Sequence, residues 1–268
     1  MSVSVQIKKI DLHSSIHEKM TDKVALEAPV NIFVNGEYVI TLLSTPSMQE
    51  ELAIGWLFTE NVLQSMDQIA KISTTEDTVK VTTHQPIDDK QLRIVSISRL
   101  ITTACGLSTR KFFQVIGQLT ESPIESPFQI WAQQLPPMMD ILNQSQLFQT
   151  TGGVHAAALF HVNDAVFLAE DVGRHNAVDK VIGAGLQAGI NFSESILVSS
   201  GRQPADMVLK AARMGIPIVV SRAAPIRSGI IAADKSGVTL VCFLRDQRMN
   251  VYTHHNRILT KTTSGKIR

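Results

Sequence analysis

The chain has few cysteines, few aromatic residues and almost no net charge. Cys105 and Cys242 are its two thiols, too few for a disulfide framework. The N-terminal stretch MSVSVQIKKIDLHSS carries charges where a signal peptide needs an apolar core. The expected location is therefore the reducing cytoplasm, with both thiols free. A net charge of +1 over 268 residues gives no bulk attraction to nucleic acid or to a membrane surface, so neither is an expected partner. No apolar run reaches the roughly 20 residues of a bilayer span. Several catalytic signatures are also missing. There is no G-x-x-x-x-G-K-[ST], which argues against Walker-type nucleotide hydrolysis. There is no G-x-S-x-G nucleophile elbow. There is no H-x-E with a later P-C-x-x-C, and no histidine has zinc-like spacing, so no metal site is expected.

Hydrophobic residues make up 44% of the chain, enough for a sizeable core in a globular protein. The most suggestive stretch is Thr102–Arg110, TTACGLSTR. Gly106 loosens the backbone beside the Cys105 thiol, and Ser108 and Thr109 are good helix N-caps. Phe112, Phe113, Val115, Ile116 and Leu119 then recur at helical spacing. A thiol just before a helix N-terminus, bracketed by Arg99, Arg110 and Lys111, is biased towards thiolate. The bland alternative is a small buried hydrophobe. Cys242, inside VTLVCFL, fits that description and reads as core.

The spacing predicts a small α+β domain over residues 1–118, a linker or crossover over 119–137, and a larger α/β layered domain over 138–268. Residues 1–20 read as an edge strand followed by a loose segment. Asn35-Gly36 between two β-rich runs predicts a tight hairpin. Ser47–Glu50 fits a capping box for a largely buried helix containing Leu52, Ile54, Trp56, Leu57 and Phe58. Lys71–Thr83 reads as a second hairpin and Leu92–Ile97 as a strand. ESPIESPFQIWAQQLPP is proline-rich and reads as the crossover, with a helix over Met138–Phe148. Strands follow at Val154–His161, Ala165–Ala169, Ser195–Ser199, Ile216–Val220 and Val238–Leu244. They alternate with helices at Asn176–Gln187, from Pro204 to Gly215, and at Ser228–Asp234. This alternation predicts a layered α/β sheet.

In such sheets ligands bind where the strands end. Three loops follow predicted strands: Glu170–Asn176, Ser199–Pro204 and Arg222–Ser228. They place Arg174, Arg202, Arg222 and Arg227 among small residues near helix starts, a combination suited to phosphate. For any single arginine a surface ion pair is the better bet; three loops together favour a phosphate-bearing ligand. Phe243-Leu244-Arg245-Asp246-Gln247-Arg248 ends the last strand, and Arg245 with Arg248 could clasp a pyrophosphate. The roles of His155, Asp171, His175 and Lys180 stay open between holding loops and touching ligand.

Taken together, EAPVNIFVNG (27–36), Thr45-Pro46, LAIGWLFTE (52–60), Cys105-Gly106-Leu107, TGGVHAAA (151–158), EDVGRHNAVDKVIG (170–183), Ser200-Gly201-Arg202 and FLRDQRMNVYT (243–253) resemble the FdhD family of formate dehydrogenase accessory sulfurtransferases. The resemblance implies a sulfur carrier required for formate dehydrogenase activity. Such a carrier takes persulfide sulfur from a cysteine desulfurase. It passes the sulfur to the molybdenum cofactor, bis-molybdopterin guanine dinucleotide, before the cofactor enters formate dehydrogenase. The resemblance puts the sulfur on Cys105 and cofactor binding on Phe243, Leu244, Arg245, Asp246, Gln247 and Arg248. Arg174, His175, Gly201 and Arg202 join that set from the loops. It further implies a cytidine-deaminase-like larger domain without the zinc site, and a homodimer. The family commonly has C-x-x-C where this chain reads Cys105-Gly106-Leu107-Ser108, so a resolving disulfide within the motif is impossible. The alternative reading is a cofactor-binding chaperone without sulfur transfer.

Overall fold

A computed structural model of the chain describes residues 1–13, 17–87, 123–162 and 166–261. The expected strand at 92–97, Cys105 and the helix after it lie outside the described residues.

The N-terminal part builds two sheets. β1 (Ser2–Ile10) and β2 (His17–Ala25) form an antiparallel ribbon pairing Ser2 with Ala25 and Ile10 with His17. The expectation of one strand and a loose segment is corrected here. HEKMTDKVA is too polar to show a strand pattern, and it is held by pairing with β1. β3 (Ala28–Val34), β4 (Glu37–Ser44), β5 (Ile69–Thr74) and β6 (Thr78–Thr83) make a four-stranded sheet in the order β4-β3-β6-β5. Asn35 and Gly36 turn between β3 and β4 with φ of 52° and 86°, the doubly left-handed geometry that Asn-Gly favours. Val30, Ile32, Val34, Val79 and Val81 face inward and pack under helix α1 (Gln49–Thr59).

α1 is buried from Leu52 to Thr59 because it is covered twice, by this sheet and by a helix of the second half. The expected capping box does not form. Met48 is the N-cap, with φ of 51° and no side-chain cap. The residues before it are committed elsewhere: the Thr45 amide donates to Asp171, and the Ser47 amide folds back on the Thr45 carbonyl.

The proline-rich stretch carries more structure than a crossover needs. Ile130–Trp131 is a short strand, β7, and helix α2 (Leu135–Asp140) begins with Pro136 and Pro137 in its first turn, where missing N–H groups cost nothing. The expected helix over 138–148 is broken. A 3-10 turn spans Ile141–Gln144, and helix α3 (Gln146–Thr151) starts afresh at Ser145, whose hydroxyl accepts the Phe148 amide.

The second half is organised around six strands. These are β8 (His155–His161), β9 (Val166–Asp171), β10 (Ser195–Ser199), β11 (Ile218–Ser221), β12 (Thr239–Arg245) and β13 (Arg248–Val251), in the order β13-β12-β11-β10-β8-β9. β10, β11 and β12 are parallel to one another. β8 runs against both β10 and β9, so β9 points the same way as the parallel three. Helices α4 (Arg174–Gln187), α5 (Ala205–Arg213) and α6 (Arg227–Ser236) cover one face. α2 and β7, paired with β14 (Ile258–Leu259), cover the other. Cys242 lies in this core, fully buried, and burial pushes its thiol up to about 12.

The halves meet where α1 crosses α4. A Cβ at Gly55 would lie 1.8 Å from the Asp179 carbonyl oxygen, and one at Gly183 would lie 1.9 Å from that of Glu51. Only glycine lets these backbones touch. Among the described residues no helix is long and apolar enough to cross a membrane.

Candidate functional site

Because β9, β10, β11 and β12 point one way, the loops that follow them gather on one edge of the sheet. Backbone hydrogen bonds stitch those loops together. The Gln203 amide donates to the Ala224 carbonyl (3.1 Å) and the Ile226 amide to the Gln203 carbonyl (3.0 Å); the Phe243 amide donates to the Ala223 carbonyl (3.1 Å). The Ser221 hydroxyl donates to the Gly201 carbonyl at 2.7 Å. The edge is therefore a fixed platform.

One group of side chains sits where α4 and α5 begin. The Arg174 stem lies across Gly201, where a Cβ would come within 2.9 Å of it, and the buried Arg174 Nε has no hydrogen-bond partner. His175 Nε2 is 2.9 Å from Asp206 Oδ2, with both side chains about one-third exposed. Burial opposes ionisation of Asp206, but the His175 hydrogen bond and charge, the Met207 amide and Arg174 together hold its carboxyl below the usual range. His155 Nδ1 is 3.2 Å from the Ser200 hydroxyl. Burial, then the charges of Arg174 and His175, lower the His155 pKa from its ordinary 6.5, so the neutral ring is favoured.

A second group surrounds the turn from β12 to β13. A bulge between Cys242 and Arg245 breaks the register. Phe243 and Asp246 adopt φ of 56° and 51°, costly for a phenylalanine. The bulge turns Phe243 outward and leaves Leu244 in the core at 1% exposure. Arg245, Asp246, Gln247 and Arg248 are exposed. Arg245 borders two clefts. One, of about 330 Å³, is also lined by Met139, Asp140, Asn143, Arg222 and Asp246. The other, of about 210 Å³, is lined by Phe243, Arg248 and Asn250.

Of the predicted residues, Arg174, His175 and Gly201 come together, with exposed Arg202 on the same loop. Phe243, Arg245 and Arg248 form the second group with Asp246, while Gln247 occupies the turn. Leu244 is 1% exposed and packs in the core beneath the bulge, where it also floors the larger cleft. Among the described residues Arg174, Arg202, Arg227, Arg245 and Arg248 are in no ion pair with a carboxylate, and Arg222 donates only to Asn143. The simple reading of each as a surface salt bridge therefore does not hold there.

The charges of the neighbouring motif behave in the opposite way. Asp171 and Lys180 form a fully buried pair at 2.6 Å. Asp171 also accepts from the Ser44 hydroxyl, the Thr45 amide, the Gly173 amide and the Asn176 side chain. Burial lowers the Lys180 pKa even with Asp171 against it. Deeper in α4, Asp179 holds Lys210 at 2.9 Å, and both bond the Thr59 hydroxyl. Burial would lower Lys210, yet the charges of Asp179 and Glu60 raise it and keep it protonated. Asp171 and Lys180 thus tie the Arg174 loop to β4 with no free hydrogen-bonding capacity for a ligand. Sequence reasoning missed Asp206, Asp140, Asn143 and the Ser44-Thr45 anchor. The position of Asp206 just after Pro204, in a helix's first turn, was the available signal for one of them.

Comparison with known proteins places this geometry in a class. A model of the FdhD/NarQ family matches residues 25–259. The sulfur carrier protein FdhD of Methanothermobacter thermautotrophicus is 34% identical over 90% of this chain and 93% of its own length. That of Bacillus subtilis is 34% identical over 90% and 92%. A crystal structure of a candidate formate dehydrogenase accessory protein from Desulfotalea psychrophila superposes with a TM-score of 0.76. It is 28% identical and covers 96% of this chain and 99% of that one. The chain belongs to the FdhD/NarQ family.

Proposed function

We propose that the protein is a sulfur carrier for formate dehydrogenase maturation. The Cys105 thiolate attacks the outer sulfur of a cysteine desulfurase persulfide and forms a new S–S bond, and the desulfurase cysteine leaves as thiolate. The outer sulfur then passes to the molybdenum cofactor, bis-molybdopterin guanine dinucleotide, as sulfane sulfur: an electron pair from the reduced cofactor forms the new bond to sulfur as the S–S bond breaks, and Cys105 leaves as thiolate. The cofactor is cargo, held by Arg174, His175, Gly201, Arg202 and the turn from Phe243 to Arg248. The cytidine-deaminase-like topology, the cytoplasmic setting, the desulfurase and formate dehydrogenase partners and a homodimer belong to the same reading.

The observation that carries it is the gathering, on one rigid sheet edge, of guanidinium groups that have no carboxylate partner among the described residues, in a chain whose relatives are named sulfur carriers. Arginine presents forked donors that match phosphate oxygens, and the diphosphates of the cofactor are anions that suit such an edge. Cys242, with its thiol pushed up to about 12, stays protonated and cannot substitute as the carrier. Incubation with desulfurase and cysteine, followed by intact-protein mass spectrometry, tests the assignment. One added sulfur should appear on the wild type and on Cys242→Ala, and none on Cys105→Ala. Undiminished loading of Cys105→Ala would refute it.

A further inference from the structure

The ribbon of β1 and β2 is an arm rooted beside the candidate site. A Cβ on Gly153 would lie 3.4 Å from that of Ala25, the last residue of β2. The Gly153 segment runs straight into β8, whose first residue, His155, stands in the group at the sheet edge. From that root the two nine-residue strands extend for roughly 30 Å, and nearly all their described side chains are exposed. β1 and β2 pair only with each other among the described residues, so each keeps an open edge. A two-stranded ribbon is marginal by itself in water, and an open edge is a template for another strand.

The two faces of the arm differ in chemistry. Gln6 Nε2 donates to Thr21 Oγ1 at 2.8 Å, which puts this cross-strand pair on one face. Strand alternation sets Lys8, Lys19 and Lys23 on the same face. Lys8 lies directly opposite Lys19, an arrangement that destabilises an isolated sheet. None of the three forms an ion pair among the described residues. The carboxylates of the two strands, Glu18 and Asp22, alternate to the other face, where Glu18 sits across from Lys9. The exposed Val3, Val5, Met20 and Val24 share that second face. A row of edge lysines repels a like copy of its own strand, and it attracts a strand of opposite charge.

We propose that the open edge of β2 docks an extended acidic segment of a partner protein. The segment adds as a strand beside β2 and sets carboxylates at alternate positions against Lys19 and Lys23. Side chains of an added strand recur on one face with the same two-residue period as Lys19, Thr21 and Lys23, and opposite charges facing each other across strands are stabilising. β2 is favoured over β1 because it carries two of the three lysines. A lipid surface would have to take lysines and apolar groups from one side, and the arm divides them between two. The arm so occupied holds a partner at the rim of the arginine platform. The proposal does not depend on the sulfur-carrier reading, and failure here leaves that reading to its own test.

Fluorescence anisotropy of a short labelled peptide, glutamate alternating with threonine, tests this on the full-length protein. The wild type should bind it at least about tenfold tighter than the same peptide with lysine in place of glutamate. Lys19→Glu/Lys23→Glu should weaken binding by about tenfold or more. Lys9→Gln, on the other face, should change it by less than about twofold. These lysines are exposed, and circular dichroism checks the fold of each variant. No binding of the acidic peptide, equal binding of the lysine peptide, an unchanged affinity in Lys19→Glu/Lys23→Glu, or an equal loss in Lys9→Gln would overturn the proposal. Tighter binding to phosphatidylserine vesicles or to a single-stranded oligonucleotide would overturn it too, by making the lysine row a lipid or nucleic-acid patch.

Discussion

Two charged regions lie close together along the α/β half, and they treat charge in opposite ways. Around α4, Asp171, Lys180, Asp179 and Lys210 are buried and paired, and Asp171 has its hydrogen bonds filled. At the strand ends, Arg202, Arg227, Arg245 and Arg248 are exposed and lack carboxylate partners among the described residues. Both regions lie in motifs that read alike in sequence, as polar residues following apolar strands. The difference separates scaffold from site. A satisfied buried pair can hold a loop but has nothing left for a ligand, whereas an unpaired arginine on a rigid loop has its full donor set available.

The comparison can be broken most forcefully at Lys180. Lys180→Met leaves the Asp171 carboxylate buried without its counter-charge, and such losses cost about 3–5 kcal/mol. Chemical denaturation should show that loss in the midpoint, and a change under about 1 kcal/mol would mean the pair is not structural. Gly55→Ala attacks the same region through packing. Its methyl group would overlap the Asp179 carbonyl, and the separation of α1 from α4 should cost about 2–3 kcal/mol, read as a lower thermal midpoint.

A milder probe is pH, at the group where the two regions meet. The His155 pKa is lowered from 6.5 in the folded protein, so below 6.5 the unfolded chain binds the proton more readily. Its contribution to stability is complete above pH 6.5 and is lost as pH falls towards the lowered folded value. His155→Gln should flatten that part of the thermal midpoint profile between pH 7.5 and 5. An unchanged slope would exclude His155 as its source.

Much of this architecture was legible in the chain. Ser195–Ser199 is a strand as expected, because a short apolar run between polar segments has few other folds. The helix expected over Asn176–Gln187, which the structure starts at Arg174, the Asn35-Gly36 turn and the convergence of three arginine loops followed from periodicity, from turn chemistry and from the rule that places ligands at strand ends. What escaped reading is long-range. Ser44 meets Asp171 across 127 residues and Lys210 meets Asp179 across 31, and no local pattern encodes which charge will be buried with which. β2 was illegible for a similar reason, since its polar sequence becomes a strand only against β1. The burial of Leu244 beside exposed Phe243 and Arg245 was equally hidden, because a bulge changes facing without changing composition.

The central claim is that the unpaired arginines receive the cargo while Cys105 carries the sulfur, as separate jobs of one chain. The direct measurement uses Arg245→Ala/Arg248→Ala protein, first loaded by desulfurase and then mixed with cofactor and formate dehydrogenase lacking its sulfur. The account predicts wild-type sulfur loading on Cys105, stability within about 0.5 kcal/mol of wild type, and loss of most enzyme activation. Full activation by this variant would contradict it.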